Sequence, residues 1–451
     1  MTIYSRPVVP LCLFFMMALQ AVAQKPITPE TALKSYLNSS DKTYRWEIKD
    51  TQIIDDVMVY NVLLTSQKWR EHIWTHQLSI MVPKERKYDG ALLFITGGSI
   101  NKEGQPNWSS KEDQTIKGFS LMAKTNNAVV ALLKQTPNQP LYNGLTEDAL
   151  ISYTLHNFRK DGDYTWPLLF PMVKSATAAM DAIQELAQQK LKHKVGYFVV
   201  SGASKRGWTT WLAGAIDKRV TAIAPMVIDM LNMPVSMSYQ IKVWKDYSIQ
   251  IEDYVKLGLV QDVGTASSNT LVTMIDPYAY RKALAMPKMI IMGTNDEYWP
   301  IDNIKNYLDS IPGKNLLHYV ANVGHGLGDG NEAMSTLSAF FGNTLSRSPQ
   351  PVCSWTTAAT AKGLEVTIKA TGDKLLDVVV WHATSPDMDF RNDKWQSTSL
   401  GISKKSKFIV TEAYPSSGYM AFYVSLKYQG ANGLEYSQCT RVFMTDDKKL
   451  L

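Results

Sequence analysis

The chain has 451 residues, of which 45% are hydrophobic, 20% charged and 10% aromatic. This balance is typical of a soluble globular protein with one large core or two moderate ones, and it excludes a disordered chain, a coiled coil and a collagen-like repeat. Lysine and arginine number 47 against 41 aspartates and glutamates, and the net charge of +6 is spread along the chain. Without a basic arm or stripe, we expect no nucleic-acid partner.

The N-terminus has the three parts of a secretory signal. Arg6 precedes an apolar run over 8–19, and small residues lead to Ala23 and Gln24. The run has about twelve residues where a membrane span needs roughly twenty, which favours a cleaved signal over an anchor helix. We therefore predict a signal peptide over 1–23 with cleavage after Ala23, a periplasmic or secreted mature protein, and no stable membrane insertion.

Three cysteines are present, and removal of the signal would leave Cys353 and Cys439. Both lie near the first and last predicted strands of a C-terminal β module. In an oxidising compartment one disulfide could close this module on itself. Two buried free thiols are the alternative.

The order of predicted elements indicates an α/β fold. After a capped helix at 28–34, alternating segments predict antiparallel strands at 44–48, 57–65 and 74–82. Continuous apolar runs of strand length follow at 91–95, 128–133, 195–200, 220–228, 288–292 and 316–320. Amphipathic stretches of helical length separate several of these runs, which is typical of a doubly wound, mostly parallel sheet. We predict that this α/β domain spans 24–346.

Two segments lie outside this alternation. Residues 230–286 carry apolar side chains at helical spacing and predict a helical insertion. A lid over an active site and an ordinary helical layer both fit it. A linker-like Ser-Arg-Ser-Pro-Gln-Pro at 346–351 precedes alternating segments over 352–447. These predict a small β-sandwich of fibronectin or immunoglobulin type, with a role in packing or substrate docking.

The sequence Gly-Ala-Ser-Lys-Arg-Gly at 202–207 follows a buried strand and leads directly into a helix. A Gly-x-Ser at such a turn forces the serine into a tight elbow, with its hydroxyl above the sheet and beside the positive end of the helix. The fit to Gly-x-Ser-x-Gly is imperfect because the second glycine arrives one residue late. Ser204 is a candidate nucleophile, and a simple helix N-cap is the alternative.

Two further candidates follow in the chain order of a Ser-Asp-His triad. Asp296 and His325 lie in loops that follow two successive predicted strands. A histidine can take the serine's proton and return it to the leaving group, while a carboxylate holds the other ring nitrogen. Glu297, beside Asp296, and Asp229, at the end of the preceding strand, are the alternative acids.

An acyl-transfer site also needs donors for the oxyanion. Gly97 and Gly98 follow the strand at 91–95, and Lys205 follows the serine. We predict that their backbone N–H groups form the oxyanion hole. The charged side chains of Lys205 and Arg206 could aid the oxyanion or attract an anionic substrate, and a solvated helix start is the alternative.

The other histidines show no spacing typical of metal ligands. We therefore predict no metal, and we expect no cofactor either. These six histidines are His72, His76, His156, His193, His318 and His382.

The chain resembles the PhoPQ-activated pathogenicity-related protein family, a branch of the α/β-hydrolase superfamily. The matching segments lie at 74–76, 93–98, 202–208, 224–229, 292–296 and 323–325, and the Ser-Lys-Arg-Gly-Trp stretch is the most specific. The elbow is also similar to the Gly-x-Ser-Arg-x-Gly pattern of glucuronoyl esterases, with Lys205 in the arginine position. The family resemblance implies a secreted or periplasmic protein of hydrolase fold, without naming a substrate.

Together these features predict a serine hydrolase that cleaves a carboxylic ester or a related acyl bond through an acyl-enzyme. The substrate would be a small molecule, a glycan ester or a peptide. A peptidase of the same fold is the alternative within this class. A non-catalytic binding or signalling protein on a hydrolase scaffold is the alternative from another class. The sequence leaves the oligomeric state open.

Overall fold

A computed structural model describes residues 26–109, 112–261, 264, 266–401 and 405–451. The signal peptide predicted at 1–23 lies outside these residues. Within the described ranges, no helix has both the length and the hydropathy needed to cross a membrane.

The N-terminal part consists of one helix and three antiparallel strands. These elements are α1 (Pro29–Leu37), β1 (Arg45–Ile54), β2 (Val57–Trp69) and β3 (His72–Pro83). Pro29 occupies the first position of α1, where its missing N–H removes no helical hydrogen bond. The three strands confirm the predicted segments and extend beyond them.

The α/β alternation follows as predicted. Its first half contains β4 (Gly90–Ile95), α2 (Gln114–Asn126), β5 (Val129–Leu133), α3 (Glu147–Asp161), α4 (Leu169–Leu186), β6 (Tyr197–Ala203), α5 (Lys205–Ile216) and β7 (Val220–Met226). The predicted insertion comes next and is helical, with α6 (Met233–Trp244), α7 (Glu252–Lys256) and α8 (Ala266–Ile275). The second half contains β8 (Lys288–Gly293), β9 (Asn315–Val320) and α9 (Asn331–Leu345). Short 3-10 helices cover Ile249–Ile251, Pro277–Ala283, Asn303–Asn306 and Leu308–Ser310.

The strands of this part lie in the order β3-β5-β4-β6-β7-β8-β9. β3 is antiparallel to β5, and the strands from β5 to β9 are parallel. Neighbouring residues such as Leu92 and Leu93 belong to different cores, because successive side chains of a strand point to opposite faces. One core contains α3, α4, α5 and the insertion, and the other contains α2 and α9. The sheet is therefore doubly wound, and its order is that of the α/β-hydrolase fold.

The C-terminal region is a set of β-strands in two facing sheets. Its strands are β10 (Cys353–Thr360), β11 (Gly363–Ala370), β12 (Leu375–Ser385), β13 (Gln396–Ser399), β14 (Lys407–Glu412), β15 (Tyr419–Gln429), β16 (Glu435–Cys439) and β17 (Phe443–Thr445). β10, β11 and β14 form a three-stranded sheet. Val366 of β11 and Val424 of β15 share one core with helices α2 and α9.

The region consists of β-strands as the sequence predicted, and one of its two sheets is continuous with the central sheet. β16 pairs with β9 through Cys439 and Leu317, so that β16, β15, β12 and β13 extend the central sheet. The physical reason is that β9 would otherwise be an open sheet edge, and an edge offers unpaired backbone groups. The segment at 346–351 therefore does not divide two independent cores.

The sequence allowed either a disulfide or two free thiols, and the structure shows two free thiols. Cys353 and Cys439 are unpaired, and Cys439 is buried. Burial raises the pKa of Cys439 to about 12 and also raises that of Cys353. Both groups are therefore protonated and unreactive at neutral pH.

Candidate active site

Ser204 lies in the turn between β6 and α5 with φ 57° and ψ −125°. This backbone conformation is strained for any residue other than glycine, and such strain is typical of functional sites. The Ser204 side chain makes no capping hydrogen bond, so the structure does not support the N-cap alternative. Instead the Ser204 backbone N–H donates to the carbonyl of Met226 at 2.9 Å, which ties the turn to β7.

The position of the second glycine has a packing reason. A Cβ at Gly207 would lie 2.8 Å from the carbonyl oxygen of Met226, and a Cβ at Gly202 would lie 2.8 Å from that of Arg206. Both contacts are shorter than any ordinary carbon–oxygen approach. The late glycine therefore stands where the first turn of α5 presses against β7, while position 206 is free to carry a long side chain.

Asp296 and His325 form a hydrogen-bonded pair at the ends of β8 and β9. The imidazole Nδ1 lies 2.9 Å and 3.1 Å from the two carboxylate oxygens. Burial raises the pKa of Asp296, and the bond from His325 opposes this shift. The ring of Tyr298 stacks on the imidazole with 3.9 Å between centroids. The Asp296 carboxylate thus holds the edge of the imidazole ring, and the Tyr298 ring covers one of its faces.

The second ring nitrogen of His325, Nε2, is buried and has no hydrogen-bond partner among the described residues. The hydrogen bond to Ser204 that a triad requires is therefore not formed in this conformation. Catalytic hydrogen bonds are often long in ligand-free enzymes and tighten when substrate binds. The structure brings Asp296 and His325 together and leaves Nε2 available.

The two alternative acids do not contact the imidazole ring. Glu297 accepts a hydrogen bond from the backbone N–H of His325 at 2.8 Å, so it holds the loop and not the ring. Asp229 is 2% exposed and faces the amide of Asn303. Burial raises the pKa of Asp229 to about 7. Asp296 is the acid that the structure pairs with the ring.

The two cations beside Ser204 belong to a partly buried ionic cluster that sequence reasoning missed. Lys205 Nζ lies 3.0 Å from Glu147 and 2.9 Å from Asp148. Both terminal nitrogens of Arg206 bind Glu147 at 2.7 Å. These two cations and two anions compensate one another, and Lys205 is only 8% exposed. The solvated helix start is therefore wrong, and neither cation is an unpaired charge.

The cluster also connects the elbow to the helical insertion. Tyr254 of α7 donates a hydrogen bond to the Asp148 carboxylate at 2.9 Å, and the other oxygen of Asp148 binds Lys205. Burial raises the pKa of Tyr254 well above its ordinary value, so its hydroxyl stays a donor. In the sequence, Glu147 and Asp148 look like ordinary acidic residues in the first turn of a helix. No local signal links them to residues 205 and 206.

Arg206 also shapes the glycine loop after β4. Its Nε donates to the carbonyl of Thr136 at 2.5 Å, and a Cβ on Gly97 would lie 2.7 Å from its Nη2. Gly98 has φ +137°, a conformation that favours glycine. Lys205 is the first residue of α5, where a backbone N–H has no acceptor within the helix. The guanidinium thus packs against Gly97 while it binds the chain that follows β5.

We expect Glu147→Ala to destabilise the protein by about 2 kcal/mol, because it leaves the Arg206 guanidinium buried without its carboxylate. Because Glu147 is partly exposed, the loss of stability should be smaller than for a fully buried ion pair. Burial raises the pKa of Glu147, but the hydrogen bond and charge of Arg206, the charge of Lys205 and the hydrogen bond from Gln139 together lower it from 4.5 to about 2. The wild-type advantage should therefore be present above pH 4.5 and shrink as the pH falls towards 2.

Urea unfolding at several pH values measures this loss. The matched control is Glu112→Ala, which removes an exposed partner of Lys117 and should leave the urea midpoint almost unchanged. Equal effects of the two substitutions would contradict the role of the cluster.

The C-terminal region supports the loops that carry the acid and the histidine. Asn295 Nδ2 donates to the backbone carbonyls of Phe390, Arg391 and Asp393 at 3.1, 3.1 and 2.8 Å. Asn322 accepts a hydrogen bond from the N–H of Trp395 at 2.7 Å and donates to its carbonyl at 3.0 Å. One segment at 390–395 therefore holds both loops, which gives this region a positioning role at the site.

We expect Asn295→Ala to lower kcat about tenfold or more with little change in KM, because three carbonyls lose their donor and the neighbouring Asp296 loosens. Steady-state kinetics on the best ester substrate would measure kcat and KM of the variant and the wild type. Asn331→Ala, at the exposed start of α9, is the matched control and should leave kcat unchanged. A rise in KM alone would argue against positioning of the acid.

A cavity lies over Ser204 with an empty volume of about 790 Å³, including space open to solvent. Ser204, Lys205 and Trp208 of the elbow and α5 form one side, and Tyr298 and Trp299 form another. More than half of the lining residues come from the helical insertion. The insertion therefore covers the candidate site, and Tyr298 links this cavity to the imidazole on which it stacks.

The sheet order, the strained serine elbow and the Asp–His pair define the chain as an α/β-hydrolase fold. The chain belongs to the PhoPQ-activated pathogenicity-related protein family, whose model matches residues 33–391. A relative, autocrine proliferation repressor protein A of Dictyostelium discoideum, is 30% identical over 439 residues, which cover 88% of this chain and 86% of that protein. The expected family membership is thereby confirmed.

Solved structures with a similar fold include two acetyl xylan esterases. Acetyl xylan esterase 1 from Thermoanaerobacterium sp. JW/SL YS485 is 16% identical, with 70% of this chain and 96% of that chain covered and a TM-score of 0.47. The acetyl xylan esterase from Paenibacillus sp. R4 is 11% identical, with 68% and 92% covered and a TM-score of 0.46. These values describe a likeness of fold alone.

Proposed function

We propose that the protein is a serine hydrolase that cleaves a carboxylic ester or a related acyl bond. The observation that carries the proposal is the Asp296–His325 pair, whose Nε2 has no partner among the described residues, and the strained turn at Ser204 supports it. Tyr298 connects the two, since it lines the cavity with Ser204 and stacks on His325. The elbow, the base and the acid have the chain order of this fold.

In the proposed mechanism, His325 Nε2 takes the proton of the Ser204 hydroxyl as Oγ attacks the substrate carbonyl. Backbone N–H groups of Gly97, Gly98 and Lys205 stabilise the oxyanion. The imidazolium, held by Asp296, gives its proton to the leaving alcohol, and an acyl-enzyme remains on Ser204. Water then adds with His325 as base, which releases the acid and restores the serine.

We propose further that the mature protein begins at Gln24 in the periplasm or outside the cell. Its substrates there would be small esters, glycan esters or peptides. Turnover of aryl esters compared with aminoacyl amides separates an esterase from a peptidase of the same fold. Faster amide turnover would favour the peptidase.

Labelling with a fluorophosphonate probe tests the proposal, because such probes react with activated serines. The native protein should be labelled at Ser204, and heat-denatured protein should not. Ser310→Ala removes an exposed serine far from the elbow along the chain and should be labelled like the wild type. Absence of labelling at Ser204, or equal labelling after heating, would count against a serine hydrolase.

The name of the Dictyostelium relative favours a second candidate, a secreted signal that restrains proliferation. This function could use the hydrolase fold as a scaffold, because fold and function separate easily. Purified wild type and Ser204→Ala would be added to proliferating cells of the producing species. Equal growth inhibition by both proteins would favour signalling without catalysis, and loss of the effect in the variant would tie it to Ser204.

A further inference from the structure

The walls of the cavity over Ser204 are almost entirely apolar. Three methionines, Met230, Met233 and Met237, line it together with Leu259 and Leu271. Its empty volume of about 790 Å³ includes space open to solvent. Methionine side chains are unbranched and polarizable, so a wall of them adapts to flexible hydrocarbon.

Several polar groups on the same walls already have partners within the protein. Lys205 is bound to Glu147 and Asp148, and the Tyr254 hydroxyl donates to Asp148. The indole N–H of Trp208 donates to the carbonyl of Ile275 at 2.6 Å. Among the described lining residues, the indole N–H of Trp299 is buried without a partner.

This arrangement does not suit a sugar ring. A carbohydrate carries several hydroxyl groups, and each one buried without a hydrogen bond costs free energy. The lining offers hydrocarbon where such hydroxyls would lie. A saturated chain has no polar groups to satisfy and gains from every methylene removed from water.

We propose that this cavity binds the acyl chain of the substrate, a straight saturated chain longer than an acetyl group, such as octanoyl. The inference rests on the proposed function, because it names the substrate class of the same serine. The protein would thus hydrolyse medium-chain acyl esters and would discriminate against acetyl esters. Ser204 would attack the carbonyl at the mouth while the chain lies under α6 and α8.

The first experiment measures kcat/KM for p-nitrophenyl esters from acetyl to octanoyl. Each methylene buried in an apolar site increases kcat/KM up to about fourfold. We expect a rise of at least about 30-fold over the six added methylenes, since their burial is incomplete. A flat series, or a preference for acetyl, would overturn the proposal while leaving the serine hydrolase intact.

Ethyl octanoate and octyl acetate then decide which side of the ester enters the cavity. The two molecules have the same atoms and differ only in the direction of the ester. The acyl-chain assignment expects ethyl octanoate to be hydrolysed with at least tenfold higher kcat/KM, on the order of two buried methylenes. A preference for octyl acetate would overturn it in favour of an alcohol-side pocket.

Met237→Phe narrows the cavity and should lower the octanoyl-to-acetyl ratio of kcat/KM about tenfold, the order expected for loss of two buried methylenes. A variant that merely misfolds would lower both rates together, so Met233→Phe serves as a second test of the ratio. Leu121→Phe, on the exposed face of α2, is the matched control and should leave the ratio unchanged. An unchanged ratio in both cavity variants would contradict the proposal.

Binding of octanoate to Ser204→Ala gives a readout that does not depend on catalysis. Trp208 and Trp299 line the cavity, so their fluorescence should change on titration. We expect octanoate to bind saturably, Met237→Phe to weaken this binding, and acetate to cause no change in fluorescence. This result would support the acyl site even if no ester is cleaved. Absence of octanoate binding in a folded protein would overturn the inference.

Discussion

Ser204→Ala is expected to lower kcat for an activated aryl ester by at least about 10⁴-fold. The substitution removes the atom that attacks the carbonyl, so no acyl-enzyme can form. The remaining acceleration would come from the oxyanion donors and from substrate binding alone. Stopped assays with purified wild type and variant measure the ratio, and the variant should also lose the burst of acyl-enzyme formation.

The strained backbone of Ser204 adds a second readout. Ser204→Gly should be as inactive as Ser204→Ala but more stable by about 1 kcal/mol, because glycine adopts the observed φ of 57° without strain. Ser310→Ala is the control for loss of an unrelated hydroxyl and should keep full activity. Activity above one per cent of wild type in a pure Ser204→Ala preparation would exclude Ser204 as the nucleophile.

Asp296→Asn is expected to lower kcat by about 10⁴-fold, because an amide stabilises the wrong tautomer of the histidine and cannot stabilise the imidazolium. Asp229→Asn is the matched control, since this acid is equally buried but does not contact the ring. The kcat of Asp229→Asn should stay within about threefold of wild type. An interaction of one pKa unit between Asp229 and the imidazole would instead correspond to a tenfold change. Loss of activity in Asp229→Asn with retention in Asp296→Asn would reverse the assignment of the acid.

Burial raises the pKa of both acids, so both predict a pH dependence of stability. Burial raises the pKa of Asp229 from 3.8 to about 7, so between these values the folded state binds more protons than the unfolded state. The free energy of unfolding should therefore fall as the pH rises through this window. Asp229→Asn should remove its own contribution to that slope, worth about 4 kcal/mol if the shift is fully expressed, while Asp276 and Asp296 keep theirs. Urea midpoints from pH 4 to 8 measure it, and an unchanged slope would contradict the raised pKa.

The strands and the elbow could be predicted from the sequence because their signals are local. A buried parallel strand is a continuous apolar run, as at 288–292, and β8 begins and ends within a residue of that run. A tight turn into a helix needs small residues next to the serine, and the Gly-x-Ser stretch supplies them. The alternation of these elements was enough to predict the doubly wound sheet and the order of the site residues.

The boundary of the C-terminal region was not predictable in this way. Alternation showed that residues 352–447 form strands, but alternation says nothing about which edge a strand joins. β16 pairs with β9 because an open edge in the central sheet would leave backbone groups unpaired. The same docking brings 390–395 against Asn295 and Asn322, which gives an apparent accessory region a role beside the site.

The sequence by itself determined the kind of protein: an α/β-hydrolase chain with a serine elbow and an ordered acid and histidine. Only the tertiary structure decided the electrostatics of the site. Lys205 and Arg206 look like free cations in the sequence, but Glu147 and Asp148, almost sixty residues earlier, neutralise them. A pattern records spacing along the chain, whereas charge compensation and the lining of a cavity depend on distances through space. The apolar cavity over Ser204 exists because the insertion folds back over the elbow.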